Sequence, residues 1–170
     1  SIAIRSSERI SRLTNSLLDI RRLEAGQPVV NLQLAAPSEL VQEALDAVRM
    51  IAEGKNQPLV SEVQLDLPDL WVDADMIRRV LINLVENAVK YTPSGSQIHI
   101  GANLSPESGM VELWVRDNGP GIPLIDREHI FDKYARLQSK DGPKGFGLGL
   151  AFCRLAVEKH GGRIWVDSEH

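Results

Sequence analysis

The sequence predicts an α+β fold: a two-layer sandwich with helices on one face of a sheet, preceded by one long helix. Two amphipathic patterns, at residues 38–53 and 75–91, supply the helical layer. Two alternating segments, at 98–104 and 110–115, are joined by a Pro-Glu-Ser-Gly turn and predict a hairpin. Because hairpins dominate the strand pattern, we expect this two-layer arrangement and not a doubly wound parallel sheet.

The first helical pattern runs from residue 1 to about residue 25. Its heptad seam consists of Ala3, Ser6, Ile10, Leu13, Leu17 and Ile20. Charged residues occupy much of the rest, and Gly26 with Pro28 predicts the helix end. A lone helix cannot bury such a seam, so the helix either folds back on its own domain or joins a helical bundle. The narrow seam between charged faces favours the bundle.

The remaining elements have weaker signals. The expected set is strands at 29–34, 59–67 and 163–166, with helices at 123–133 and 148–159. Ser38 is the expected N-cap of the helix that follows it, and Asp75 is expected to open the next long helix. Residues 136–146 are polar and rich in Gly, Lys and Asp, which predicts a mobile loop.

Composition excludes several classes of function. The chain has 170 residues, 43% hydrophobic and 25% charged, which is enough for one core with a small appendage. Its net charge of −4 lacks the basic excess of nucleic-acid binders, so we expect no nucleic acid partner. No apolar run reaches about 18 residues and no signal-peptide pattern is present. We therefore expect a cytoplasmic segment without membrane contact, even if its parent protein is anchored in a membrane.

The cysteine and the histidines do not indicate a disulfide, a reactive thiol or a metal site. The only cysteine, Cys153, rules out an intrachain disulfide and lies in an apolar helical run, so we interpret it as a packed core thiol. The four histidines show no metal-ligand spacing.

The helix at 75–91 carries the first block of candidate functional residues. Asn83, Asn87 and Lys90 are spaced so that all three project from one face, and Glu86 lies beside them. Each Asn alone is compatible with a solvated helix face. As a set they indicate a functional site, because an amide oxygen is a hard ligand for Mg²⁺ and an ammonium neutralises phosphate.

The second block begins with Asp117 at the end of a strand. Turn chemistry explains Asn118 and Gly119, but not the second glycine, Gly121, with Ile122. A carboxylate at a strand end, beside a glycine-floored pocket, is placed to accept a hydrogen bond from the exocyclic amine of adenine.

The third block is a glycine-rich segment that passes directly into a helix. It consists of Gly145, Phe146, Gly147, Leu148, Gly149 and Leu150. Outward-facing amides at a helix start form a phosphate site, although a flexible linker has the same composition. No Gly-Lys-Ser/Thr follows, so the segment is not a P-loop, and its late position disfavours a dinucleotide-binding fold.

In this order the blocks resemble the ATP-binding catalytic domain of sensor histidine kinases, whose nucleotide fold is shared with gyrase, Hsp90 and MutL. Residues 83–91 resemble the N box, 117–122 the first glycine box, 131–134 the F box and 145–150 the second glycine box. Residues 1–26 are similar to the second helix of the family's dimerisation and phosphotransfer hairpin. Residues 27–170 then correspond to the catalytic domain without the C-terminal hairpin that the family usually adds.

The resemblance implies ATP and Mg²⁺ as cofactors and gives the residues their roles. Asn87 would bind Mg²⁺, Glu86 and Lys90 are the candidate catalytic residues, and Asp117 would accept from the adenine amine. Tyr91 would pack near the adenine. The phosphates would be faced by Asn83, Lys90 and Arg136, and the pocket shaped by Gly119, Gly121, Ile122 and the residues at 145–150. Residues 136–146 would be the ATP lid.

The function implied is transfer of the γ-phosphate to a histidine of the dimerisation domain, for relay to a response regulator receiver domain. The parent protein would form a homodimer through its helical hairpin. No histidine here has the acceptor context of the family, and Phe146 stands where the family often has Ser or Thr. The alternatives are an ATP-hydrolysing module of the gyrase, Hsp90 or MutL type and a degenerate, non-catalytic interaction domain; Lys90 and Tyr91 favour the kinase.

Overall fold

Four helices and five strands make up the part of the chain that the structure, a computed structural model, describes: residues 2–27, 31–136 and 145–169. In chain order they are α1 (Ile2–Glu24), β1 (Leu32–Ala35), α2 (Pro37–Gly54), β2 (Leu59–Val63), β3 (Leu70–Asp73), α3 (Ala74–Tyr91), β4 (Ile98–Leu104), β5 (Val111–Arg116) and α4 (Gly149–Lys159). Two short 3₁₀ turns, Leu124–Asp126 and His129–Phe131, lie between β5 and α4. No helix in these ranges combines the length and apolar character needed to cross a bilayer.

The strands form two small sheets. In the larger one, β4 is central, with β2 parallel on one side and β5 antiparallel on the other. The predicted hairpin is confirmed: β4 and β5 pair with Ile100 opposite Val115, and the turn closes through a 2.8 Å bond from the Ser105 amide to the Met110 carbonyl. In the smaller sheet β1 pairs antiparallel with β3.

Helices α2 and α3 cover one face of the larger sheet. Their apolar stripes are buried against its inward-facing residues, as the amphipathic patterns predict. Fully buried members of this core include Val41, Val48, Leu81, Val85, Ile98 and Ile100. The α+β, two-layer prediction is therefore confirmed, and the long N-terminal helix is present.

A second core lies between α1, α3 and α4. The C-terminal half of α1 buries Ile20 and Leu23, which pack with Val80, Phe152 and their neighbours. The first ten residues of α1 add no apolar side chain to this core, and Ile10 is 64% exposed. The helix thus folds back on its domain through half of its seam and leaves the other half uncovered.

Both predicted helix starts are wrong by one or two residues. Ala36, not Ser38, occupies the N-cap of α2, because Pro37 is well suited to the first helical position. Asp73, not Asp75, caps α3, with its carboxylate accepting a 3.1 Å bond from the Met76 amide.

Several strand predictions also need correction. The strand expected at 59–67 ends at Val63, and the short β3 was not predicted. Residues 163–166 are not a strand, because their backbone pairs with no strand among the described residues. The helix expected at 123–133 is the pair of 3₁₀ turns. The predictions for residues 28–30 and 137–144 lie outside the described part of the chain.

Cys153 lies in the second core, completely buried, and its Sγ is 3.6 Å from the Val80 carbonyl oxygen to which it donates. Burial raises the pKa of the Cys153 thiol to about 12, the Asn83 side chain opposing this rise. The reactive thiolate is therefore scarce at neutral pH. We expect the native protein to leave Ellman's reagent unreacted at pH 8 over hours, and the guanidinium-unfolded protein to release one equivalent of thionitrobenzoate at once. Rapid reaction of the native form would contradict the packed-thiol interpretation.

Candidate functional site

One open cleft, with a volume of about 2770 Å³, lies beside α3. Every residue that the sequence predicted for the site lines it. They are Asn83, Glu86, Asn87, Lys90, Tyr91, Asp117, Gly119, Gly121, Ile122, Arg136, Gly145, Phe146, Gly147, Leu148, Gly149 and Leu150. Asn87 and Asp117, which are 30 positions apart in the sequence, thus share one cavity.

Helix α3 and the glycine-rich segment before α4 meet along this cleft. The side chain of Asn83 lies against Gly149, with its Oδ1 3.4 Å from the position that a Cβ would occupy there. The Lys90 ammonium lies against Gly145, where a Cβ would overlap it. The amides of a helix start and the ammonium therefore point to the same region, which we call the phosphate end of the cleft.

The glycine-rich segment is fastened to the residues after the second 3₁₀ turn. The Tyr134 amide donates a 2.9 Å bond to the Gly147 carbonyl, and the Arg136 guanidinium donates to the Gly145 carbonyl. Gly147 has φ +70°, and a Cβ there would lie 2.6 Å from the Ala135 oxygen. Glycine is therefore required at this position both by conformation and by space.

Another part of the cleft wall is built around Asp117, immediately after β5. Its Oδ1 accepts a 2.7 Å bond from the Gly119 amide, which orients the carboxylate at the cleft wall. Thr92 lies just behind Gly119 and is 2% exposed. Its hydroxyl has no hydrogen-bond partner within the residues that the structure describes. A polar group so placed next to a carboxylate indicates binding of a polar ligand or a water.

Residues near the C-terminus of the chain support the second glycine turn. The Ile122 amide donates a 2.8 Å bond to the Ser168 hydroxyl, and Arg127 donates to the carbonyls of Ile122, at 3.2 Å, and of Ser168. Gly121 has φ +77° and lies against the backbone of Glu169. No motif or pattern in the sequence marks Arg127, Ser168 or Thr92, because each acts through a contact with a distant part of the chain.

The donor set of Asn87 and Glu86 in the cleft fits Mg²⁺. Asn87 offers an amide oxygen that no protein group in the described ranges engages, and Glu86 is beside it. Partial burial raises the pKa of Glu86, and the charge of Arg12 opposes that rise. The described residues form no cluster of three His, Cys, Asp or Glu side chains. One or two protein oxygens suffice for Mg²⁺, which keeps waters and takes further ligands from phosphates.

The C-terminal end of α3 is held by two side chains from the segment between α2 and β2. The buried Gln57 amide donates to the carbonyls of Val89 and Thr92, at 3.2 and 2.9 Å. The Lys55 ammonium donates to the same two carbonyls. These donors satisfy the carbonyls that a helix end leaves free, and the ammonium suits the negative end of the helix dipole. The last turn, with Lys90 and Tyr91, is thereby fixed.

His160 joins the two helices that carry the site. Its Nε2 accepts a 3.1 Å bond from the Asp73 amide at the start of α3. Its Nδ1 lies 2.7 Å from the Ala156 carbonyl oxygen in α4 and therefore carries the proton. A neutral imidazole thus sets the distance between the start of α3 and the end of α4.

Comparison with known proteins places the chain among nucleotide-binding domains. Residues 72–170 match the family described as histidine kinase-, DNA gyrase B- and HSP90-like ATPase. The chain is 42% identical over 151 residues to the adaptive-response sensory kinase SasA of Thermosynechococcus vestitus, covering 86% of this chain and 40% of that protein. It therefore spans about two fifths of the length of the curated relatives it matches.

Two solved structures share the fold. Full-length ShkA in complex with AMPPNP superposes with a TM-score of 0.81 at 28% identity, over 97% of this chain and 34% of that chain. The histidine kinase ThkA in complex with the response regulator protein TrrA superposes with a TM-score of 0.69 at 27% identity, over 94% and 44%.

Proposed function

The chain belongs to the histidine kinase-, DNA gyrase B- and HSP90-like ATPase family and is the ATP-binding domain of a sensor histidine kinase; on that premise we propose that it holds ATP with Mg²⁺ in the cleft and transfers the γ-phosphate to a histidine of the dimerisation domain. The observation that carries the proposal is the convergence of four separated sequence blocks on one cavity. Phosphoryl transfer needs little more of a protein than positioning and neutralisation of charge, and this cleft offers both.

Each proposed role follows from the chemistry of the side chain and the sequence block in which it lies, and all of these residues line the cleft. Asp117 accepts from the adenine amine at one end, and Tyr91 packs near the base. Asn87 holds Mg²⁺ in the middle, with Glu86 next to it as the candidate that orients the acceptor. Lys90, Asn83, Arg136 and the amides at 145–150 face the phosphates, and Gly119, Gly121 and Ile122 shape the wall. Bound Mg²⁺ supplies charge that offsets the charge on the β- and γ-phosphates.

We further propose the partners and domain boundaries that this function requires. Residues 1–26 are the second helix of a dimerisation and phosphotransfer hairpin, and 27–170 are the catalytic domain. The uncovered half of the α1 seam, including Ile10, supports a homodimeric bundle in the parent protein. A response regulator receiver domain accepts the phosphoryl group, as the complex of ThkA with TrrA suggests for a related kinase. Such a relay draws on ATP and operates in the cytoplasm.

The decisive experiment adds this chain to a separately made hairpin that carries the acceptor histidine, with γ-labelled ATP and Mg²⁺. We expect acid-labile, base-stable label on the hairpin, and none on a hairpin whose acceptor histidine is replaced by alanine. Steady phosphate release without transfer, abolished by Glu86→Ala, would instead assign the ATP-hydrolysing alternative. ATP binding with neither activity would assign the non-catalytic one.

The Asp117→Asn variant tests the adenine end of the cleft. An amide replaces the charged acceptor, so we expect the affinity for ATP to fall about 10- to 100-fold, in line with the strength of hydrogen bonds to charged groups. Titration calorimetry with ATP and with inosine triphosphate, which lacks the exocyclic amine, measures the effect. Only ATP should lose affinity, and the exposed Asp69→Asn variant, remote from the cleft, should bind both as the wild type does. Equal losses for both nucleotides would contradict the role.

A further inference from the structure

One face of α1 forms a wall of the nucleotide cleft, although α1 precedes the segment matched to the nucleotide-binding family. Arg5, Arg9 and Arg12 follow one another at steps of four and three residues, so they lie on the same face of the helix. All three line the cleft, and all three are exposed. Three arginines of α1 therefore face the cavity, although none of the nucleotide-binding blocks in the sequence includes α1.

The packing of the C-terminal half of α1 fixes which face it turns to the cleft. Ile20 and Leu23 are 1% and 6% exposed in the second core. Asp19 forms a 2.6 Å ion pair with Arg79 of α3, and Glu24 forms a 2.7 Å ion pair with Lys133. With these contacts in place the helix cannot rotate about its axis, and the arginine row stays on the cleft side.

The row lies at the phosphate end of the cleft. The guanidinium of Arg9 is 4.9 Å from the centre of the Phe146 ring, within the glycine-rich segment before α4. Arg12 is close enough to Glu86 for its charge to act on that carboxylate, next to the proposed Mg²⁺ ligand Asn87.

We propose that Arg9 and Arg12 of α1 bind the β- and γ-phosphates of the nucleotide, so that the triphosphate bridges α1 and the catalytic domain. The inference rests on the proposed function, because it assumes ATP in this cleft. Guanidinium groups suit the task, since their planar donors match phosphate oxygens. Adenosine monophosphate, whose phosphate stops short of this end, should not sense either residue.

The test is titration calorimetry of ATP with Mg²⁺ and of AMP against Arg9→Gln and Arg12→Gln. Each variant should lose about tenfold in affinity for ATP and less than twofold for AMP, and Arg12→Lys should recover part of the loss. The matched control is Arg22→Gln, which removes an exposed arginine of the same helix that does not line the cleft. Thermal unfolding without nucleotide verifies that all variants are folded.

A double variant separates direct phosphate binding from simple neutralisation of Glu86. If Arg12 binds phosphate, Arg12→Gln still costs about tenfold in ATP affinity when Glu86 is already Gln. If the loss disappears in the Glu86→Gln background, or if ATP and AMP affinities fall equally, the inference is overturned. Its failure is distinguishable from that of the proposed function. If the wild-type chain binds ATP through Asp117 but Arg9→Gln and Arg12→Gln bind ATP as the wild type does, the inference alone is overturned. If the wild-type chain binds no ATP, or binds it independently of Asp117, the proposed function is refuted first.

Discussion

Replacing Asn87 by Ala is expected to abolish Mg²⁺-dependent nucleotide binding and to lower phosphotransfer by about 10²–10³-fold. The side chain lines the cleft, as Asp117 does, and its amide has no hydrogen-bond partner among the described residues. If Asn87 holds Mg²⁺ as proposed, its removal takes away the protein's direct ligand to the ion, whose charge would offset that of the phosphates. The measurement is ATP affinity with and without Mg²⁺, together with label transfer to the hairpin.

Two further variants sharpen this prediction. Asn87→Asp keeps the oxygen but adds a negative charge, so it should retain part of the Mg²⁺ effect on ATP affinity. Gln42→Ala, on the exposed face of α2 and outside the cleft, should behave as the wild type. If Mg²⁺ raises the ATP affinity of Asn87→Ala as much as that of the wild type, Asn87 is not the ligand.

Gly101→Ala is expected to lower the free energy of unfolding by about 3 kcal/mol, a cost at the upper end for overpacking. Gly101 is central in β4, and a Cβ there would lie 2.6 Å from Trp114 Cε2 and overlap the Glu62 carbonyl oxygen. The tryptophan is held by a 2.8 Å bond from its Nε1 to Asn103, and the carbonyl is part of the β2 backbone. Neither neighbour can move without disturbing a strand pair.

Urea unfolding followed by circular dichroism measures this loss. Gly54→Ala is the matched control, because no atom lies within 4 Å of its Cβ position and its φ is not in the left-handed region. That variant should be neutral or more stable by about 0.4–1 kcal/mol, through the reduced entropy of the unfolded chain. A Gly101→Ala variant as stable as the control would mean that the sheet accommodates a methyl group between β2 and Trp114.

The elements that the sequence predicted well are those whose signal is local and repeated. The apolar stripes of α2 and α3 extend over several turns, and the hairpin of β4 and β5 combines alternation with a turn at Gly109. Strand β3 was missed because its four residues, Leu-Trp-Val-Asp, do not alternate between apolar and polar side chains. Residues 163–166 alternate like a strand but find no strand partner in the described structure, and pairing is a property that one segment cannot reveal.

The candidate site likewise contains residues that the sequence predicts and residues that only the folded structure reveals. Asn87, Asp117 and the glycines were predictable because each sits in a motif whose residue types imply its chemistry. Thr92 and Ser168 were not, since their importance arises from what lies against them in the folded chain. The arginines of α1 carried a charge pattern typical of a solvated helix face. Only the packing of Ile20 and Leu23 turns that face toward the cleft.

The hydrogen bonds from Lys55 and Gln57 to the end of α3 have a consequence for nucleotide exchange in the proposed site. Both side chains donate hydrogen bonds to the terminal carbonyls of α3, so the backbone conformation at Lys90 and Tyr91 does not depend on a bound nucleotide. Nucleotide binding therefore carries no entropic cost for ordering the last turn of α3. In the proposed reaction, release of the diphosphate would leave the last turn of α3 folded, so binding of the next nucleotide would require no refolding there.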